Sequence, residues 1–234
     1  MPPVRLLLAD LAVTAVWVFS TSFLSDATMQ IVSATGASDL TVSMTLLVLG
    51  LLLMSPLCDG LGGACFNPAI SVAFAAAGKE AIFETLLRTA FQTAGGVAGG
   101  YTAIYIHGEG GLKELSIGLR PGVSLTEGAV CEFILTFLSC ITVVWSVGMK
   151  SKTTMLTAQL GSAVLLILGG LNYTGPSMNP AVSFCWFWHY EGHTVMEHGM
   201  VFWVAPIVGA VLAGMLCIET KVKTKHGKRK PKMN

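Results

Sequence analysis

The chain has 234 residues, of which 53% are apolar and 12% charged, with 26 glycines and a mean hydropathy of +0.69. Such a composition excludes an ordinary soluble domain and defines an integral membrane protein. The net charge of +1 says little about partners, but its distribution is informative: seven of the 14 Lys and Arg lie between Lys221 and Lys232.

A bilayer-spanning helix needs roughly 20 mostly apolar residues. Stretches of that kind are predicted at about 5–24, 39–58, 83–106, 128–148, 154–172 and 199–219. The first also has signal-peptide features, with Arg5 as a basic flank and the small residues Ser25 and Ala27 after it. It is long for the apolar core of such a peptide, and the internal repeat described below needs it as a span. After the second span comes Asn67-Pro68-Ala69, followed by an apolar run that ends at Gly78. The third span carries Gly95, Gly96, Gly99 and Gly100 at helical spacing. The fourth repeats the opening of the first, with Glu132 and Thr136 spaced as Asp10 and Thr14 are. The fifth leads to a second Asn-Pro-Ala, Asn179-Pro180-Ala181, whose apolar run extends to about Trp188. Ala205, Gly209 and Ala213 mark one face of the sixth.

The order span, span, half-length run, span therefore occurs twice, over about 5–107 and 125–220. An odd number of spans per half makes the second half enter the membrane from the opposite side, an inverted repeat. The small residues of the third span in each half let helices approach closely, because packing drives association in lipid. Residues 1–220 form the predicted transmembrane domain, and 221–234 a basic tail.

Asn is a favoured N-cap, and Pro fits the first helical position, so each tripeptide starts a helix. A run of the length seen after Asn67 spans about 15 Å, half of a ~30 Å hydrocarbon core. Irregular backbone at membrane depth requires protein or water to satisfy it. Two half-helices meeting N-terminus to N-terminus would share that requirement and place positive dipole ends at the midplane. The Asn67 and Asn179 amides are expected to donate into the lumen, orienting water and interrupting a proton wire, while the same field opposes cations.

These motifs resemble those of the aquaporin (major intrinsic protein) superfamily, most closely its small basic intrinsic protein branch. The resemblance covers residues 5–220 and is strongest over Tyr173-Thr174-Gly175-Pro176-Ser177-Met178-Asn179-Pro180-Ala181, with Gly63 to Ala69 in support. It implies an all-α, aquaporin-like membrane protein with six transmembrane helices and two half-helices. The resemblance further implies a homotetramer with one pore per subunit and an outer constriction at Leu47, Ile167, Pro176 and Val182. Water-selective members have Arg directly after the second tripeptide and commonly His two residues before the first Asn; Val182 and Cys65 stand there instead. Glycerol channels place Asp where this chain has Ser183.

Asp10 and Glu132 are acids within spans, where a charge is partnered or functional; the resemblance implies that they support the half-helices. Asp59 marks a vestibule or simply the end of the second span. His189, His193 and His198, with Glu191 and Glu197, are read as a solvated non-cytoplasmic loop, metal binding and pH gating being the alternatives. The six cysteines lack metal-ligand spacing and read as small core residues. Asn172-Tyr173-Thr174 has the glycosylation pattern but adjoins the second pore segment, so Asn172 is expected to be buried.

The distribution of Lys and Arg places both termini in the cytoplasm. Lys230 and Lys232 resemble a dilysine retrieval signal, which favours the endoplasmic-reticulum membrane. The expected function is a passive channel for water and small neutral solutes, in contact with membrane lipid, without cofactor, metal, nucleic-acid partner or enzymatic activity. The alternative is a poorly conducting scaffold or tether.

Overall fold

The structure, a computed structural model, describes residues 2–108, 118–189 and 194–226, apart from the side chains of 189 and 219–226. Every regular element among these residues is a helix. The first half comprises α1 (Val4–Thr21), α2 (Leu24–Thr35), α3 (Asp39–Gly60), the half-helix α4 (Pro68–Ala76) and α5 (Ile82–His107). The second comprises α6 (Leu125–Ser146), α7 (Lys152–Gly170), the half-helix α8 (Pro180–His189), α9 (Val195–Gly199), a π-helical stretch (Met200–Val204) and α10 (Ala205–His226).

Among the described residues, five helical segments are both long and apolar enough to cross a membrane: Val4–Thr35, Asp39–Gly60, Leu125–Ser146, Lys152–Gly170 and Val195–Ile218. The sixth long helix, α5, has 26 residues. Glu84, Arg88, Gln92 and a run of glycines make it the most polar of the set.

Several ends differ from the predicted spans for local reasons. At α6, Ser124 and Glu127 form a capping box, which starts the helix at Leu125 rather than 128. Thr194 and Glu197 form another, which adds α9 ahead of the predicted start at 199. The helix α2 was not predicted; it continues α1 beyond a break at Ser22–Phe23 and ends at Gly36, whose φ is +70°. At the other end, α10 carries on to His226, six residues into the predicted tail, since no Gly or Pro lies between Gly214 and Gly227. Residues 227–234, with Lys230 and Lys232, lie outside the described residues.

The two halves interlock through their half-helices. Ala69 and Ala73 of α4 pack with Cys140 and Val144 of α6 and with Ala210 and Ala213 of α10. In return, Cys185 and Trp186 of α8 pack with Val18 of α1 and Ala103 of α5. Glycines make the close approaches possible. A Cβ on Gly95 would strike the Leu11 carbonyl, one on Gly99 would stand 2.5 Å from the Ala15 carbonyl oxygen, and one on Gly209 would stand 2.7 Å from that of Phe133. Gly96 faces the Ala181 carbonyl of α8, and Gly214 faces the Ala73 carbonyl of α4. Each half's last helix therefore meets its own first helix and the other half's half-helix with almost no side chain between them. The outer faces of α3 and α7 are apolar and exposed, with Leu53 and Leu165 both more than 70% accessible, as a lipid-facing surface requires.

Candidate transport pore

The two Asn-Pro-Ala segments meet in the centre of the bundle. Asn67 is the N-cap of α4, and its Oδ1 accepts from the Ala69 N–H at 2.9 Å. Asn179 does the same for α8, with Oδ1 accepting from Ala181 at 3.2 Å and Val182 at 3.4 Å. Pro68 and Pro180 begin the helices, and Ala69 and Ala181 are fully buried where the two runs pack. One N–H of each Asn amide crosses to the other half: Asn67 Nδ2 donates to the Met178 carbonyl and Asn179 Nδ2 to the Phe66 carbonyl, both at 2.9 Å. One donor of each amide is therefore committed to the opposite half. Each amide has two donors, and the second has no partner among the described residues.

Met178 has φ +48°, the sole positive φ on a non-glycine residue among those described. A left-handed conformation is uncommon for such a side chain and is kept only where the surroundings fix it. Here the Met178 N–H donates to Glu132 Oε2 at 3.0 Å while its carbonyl takes Asn67. Glu132 is fully buried and also accepts from the Ser177 N–H at 2.9 Å and the Thr174 hydroxyl at 2.8 Å.

Asp10 is equally buried, and its Oδ1 accepts from the Cys65 N–H at 2.7 Å. Its other partners come from α5: Arg88 donates through Nε at 2.7 Å and Nη2 at 3.0 Å, and Gln92 Nε2 donates at 3.4 Å. Arg88 also holds Glu80 Oε1 at 2.7 Å and the Gly63 carbonyl at 3.0 Å. Burial pushes the Glu80 carboxyl above its ordinary range, outweighing the downward pull of Arg88.

A cavity of about 670 Å³ runs past this centre and is lined by Asn67 and Asn179. Leu47, Ile167, Pro176 and Val182 line the same cavity, together with Asp59, Glu80 and Arg88. Its walls are predominantly apolar side chains from α1, α3, α6 and α7, and Cys65 lines it beside the first tripeptide. Asp59, at the end of α3, pairs with Lys152 at 2.6 Å on the surface.

Three features escaped the sequence reading. In the sequence Arg88 counts only toward topology, yet Arg88, Gln92, Gly95 and Gly99 share one helical face, a spacing that marks Arg88 as the partner of Asp10. Trp17 and Phe66 line the cavity with ring centroids 5.2 Å apart. Trp17 follows Asp10 and Thr14 on one face of α1, so its position was also readable. His198 is not in a solvated loop: it is 5% exposed, stacks on Phe187 at 4.2 Å, and accepts from Trp203 Nε1 at 3.0 Å. The intervening π-helical stretch brings residues five apart into line, which explains that pairing. The His189 side chain and His193 lie outside the described residues. Asn172 is exposed rather than buried, whereas the hydroxyl of Thr174 in the same sequon is committed to Glu132.

Two half-helices opposed at their N-termini, bridged by reciprocal Asn amides and bordered by a cavity within a helical bundle, define a multi-pass membrane channel. Comparison with known proteins gives the family. Residues 2–217 match the family described as MIP: Major intrinsic protein. The chain is 38% identical to Aquaporin SIP1-1 of Oryza sativa subsp. japonica and 37% identical to Aquaporin SIP1-1 of Zea mays. The shares covered are 90% of each chain for the first and 91% for the second. The aquaglyceroporin from Plasmodium falciparum superimposes with a TM-score of 0.72 over 94% of this chain and 98% of that one, at 20% identity. This protein belongs to the major intrinsic protein family, the aquaporins, and stands with its small basic intrinsic proteins.

Proposed function

We propose that the protein is a passive channel for water and small neutral solutes. Asn67 and Asn179 orient the permeant at the centre, and Leu47, Ile167, Pro176 and Val182 set the width of the outer constriction. The observation that carries this reading is the single cavity lined by both Asn residues and all four apolar residues. A spare amide N–H on each Asn offers the permeating oxygen a donor, and the two helix N-termini oppose protons and cations with a positive potential. The apolar ring offers water no hydrogen bonds, so it favours slow water flow and tolerates uncharged solutes. Asp10 and Glu132 act as supports that hold the pore segments in place.

The channel domain spans residues 1–220 and assembles as a homotetramer. It sits in the endoplasmic-reticulum membrane with both termini and the basic tail in the cytoplasm, which the clustering of Lys and Arg supports. Stopped-flow swelling of proteoliposomes tests the water pathway. The full chain should raise osmotic permeability, and the N67S/N179S double variant, which keeps an N-cap residue but loses the amide bridge, should return it to that of protein-free vesicles. A wild type that adds no permeability, or a double variant that retains it, would sink the pore and leave the scaffold reading.

A further inference from the structure

The outer ring carries no charge of its own, yet a guanidinium stands directly behind the segment that supplies Pro176. Arg120 lies between α5 and α6, at the end of the bundle opposite the starts of α5 and α7. Its carbonyl accepts from the Val123 N–H at 3.0 Å across Pro121 and Gly122, and Gly122 has φ +86°. Pro followed by a left-handed Gly is the pattern of a type II turn, which makes Arg120 part of a stiff corner.

From that corner Arg120 reaches the second pore segment at three points. Its N–H donates to the Tyr173 carbonyl at 2.8 Å, and its Nε donates to the Leu171 carbonyl at 3.2 Å. Leu171 is the C-cap of α7, where exposed carbonyls favour a cation. The third point is Gly175: a Cβ there would stand 2.7 Å from Arg120 Nη2, so the guanidinium rests against a bare α-carbon. Gly175 also has φ +59°, a second reason for glycine at this place. The next residue is Pro176, in the cavity wall. Glu132 thus holds this segment from the interior while Arg120 holds it from outside. By chain order, the other Lys and Arg with described side chains, namely Arg5, Lys79, Arg88, Lys150 and Lys152, lie toward the opposite end.

We propose that Arg120 is the specificity-determining cation of the outer mouth, repelling cations at a ring whose own side chains are apolar, with Gly175 as the seat that keeps its guanidinium there. The proposal rests on the reading of Leu47, Ile167, Pro176 and Val182 as the outer constriction.

Proteoliposomes carrying the full-length wild type, R120Q, R120K or G175A provide the test, with potassium leak and osmotic swelling measured on the same vesicles. In R120Q the ratio of potassium to water flux rises about tenfold at low salt. That rise shrinks toward physiological ionic strength, as the Debye length falls from roughly 30 Å at 0.01 M to about 8 Å at 0.15 M. R120K keeps the ratio near wild type because the charge remains. G175A, which keeps the charge but displaces it, falls between the two. An R120Q ratio equal to wild type at low salt, or an R120K ratio as high as that of R120Q, makes Arg120 a loop staple and overturns the proposal alone. A wild type that passes no water overturns the pore reading and this proposal with it.

Discussion

The two halves solve the same problem, holding an irregular pore segment inside the membrane, with different chemistry. In the first half Asp10 receives one backbone N–H, from Cys65, and is neutralised by Arg88. In the second, Glu132 receives two backbone N–H groups and a hydroxyl, with no cation among these partners. Counting back from Gly95 and Gly209, which meet the carbonyls that follow Asp10 and Glu132, the place of Arg88 falls at Val201–Phe202, both fully buried. The longer Glu side chain reaches far enough to bind the Ser177–Met178 backbone on its own. The shorter Asp reaches a single N–H and leaves its remaining lone pairs to a guanidinium. A buried carboxylate is tolerated through hydrogen bonds in one half and through an ion pair in the other. The ion pair also ties the first pore segment to Glu80 in the cavity wall, a link built from Arg88 alone.

The largest effect should come from breaking the first half's ion pair. R88M leaves Asp10 as an unpaired buried carboxylate and is expected to lower stability by about 3–5 kcal/mol. The D10N/R88M double variant should recover part of that loss, because the fully buried Asp10 charge is then gone and only the half-buried Glu80 is left without its cation. E132Q strands no cation and is expected to lose less, about 1–3 kcal/mol, by leaving one backbone N–H facing an amide donor. Thermal unfolding in detergent, read as loss of the monodisperse species, ranks them. An E132Q variant as unstable as R88M would break the distinction between the two supports.

The two acids and the half-helices were readable beforehand, and the difference between the supports was not, for definite physical causes. Asn-Pro-Ala signals a helix start by local chemistry alone, so the half-helices could be placed from sequence to within a residue or so of their observed ends. The inverted repeat followed from the order span, span, half-length run, span occurring twice, with an odd number of spans in each half. What local pattern does not encode is which long side chain bridges to which helix. Arg88 sits near the end of a span, where basic residues usually mark topology, and that usual meaning concealed its inward direction. Helix α2 was missed because Asp26, Gln30 and Ser33 break the apolar run on which span detection depends. His198 was misplaced because the sequence around it is polar, whereas Thr194 and Glu197 cap a helix that carries it among Phe184, Phe187 and Trp203. Val182 and Pro176 line one cavity with Asn179, yet nothing in the sequence tied Arg120 to Gly175.

The glycine contacts allow a finer comparison. G95A drives a methyl group into the Leu11 carbonyl of α1, while G209A places one 2.7 Å from the Phe133 carbonyl oxygen of α6. The obstacle in each case is backbone, which cannot swing aside, so the helices must separate. Overpacking of this kind costs about 1–3 kcal/mol. The first half should suffer more, since its approach is the closer of the two. Unfolding midpoints of the two variants check the order, and a G209A more damaging than G95A would show that the second half is the tighter.

The smallest expected difference lies one helical turn beyond each acid. Thr14 and Thr136 are both fully buried at corresponding places, but their hydroxyls are treated differently. Thr14 Oγ1 donates to the Asp10 carbonyl at 2.7 Å, whereas Thr136 Oγ1 has no partner among the described residues. Val has nearly the same shape as Thr, so Thr→Val removes the hydroxyl while disturbing packing little. T14V gives up a hydrogen bond and should lose about 0.5–1.5 kcal/mol. T136V removes a polar atom whose burial is uncompensated, and it should be neutral or stabilising by about 1 kcal/mol. The sign of T136V is therefore the informative quantity in a pair of unfolding curves. If T136V destabilises as much as T14V does, the second half hides a partner for that hydroxyl, and the two supports are more alike than their acids indicate.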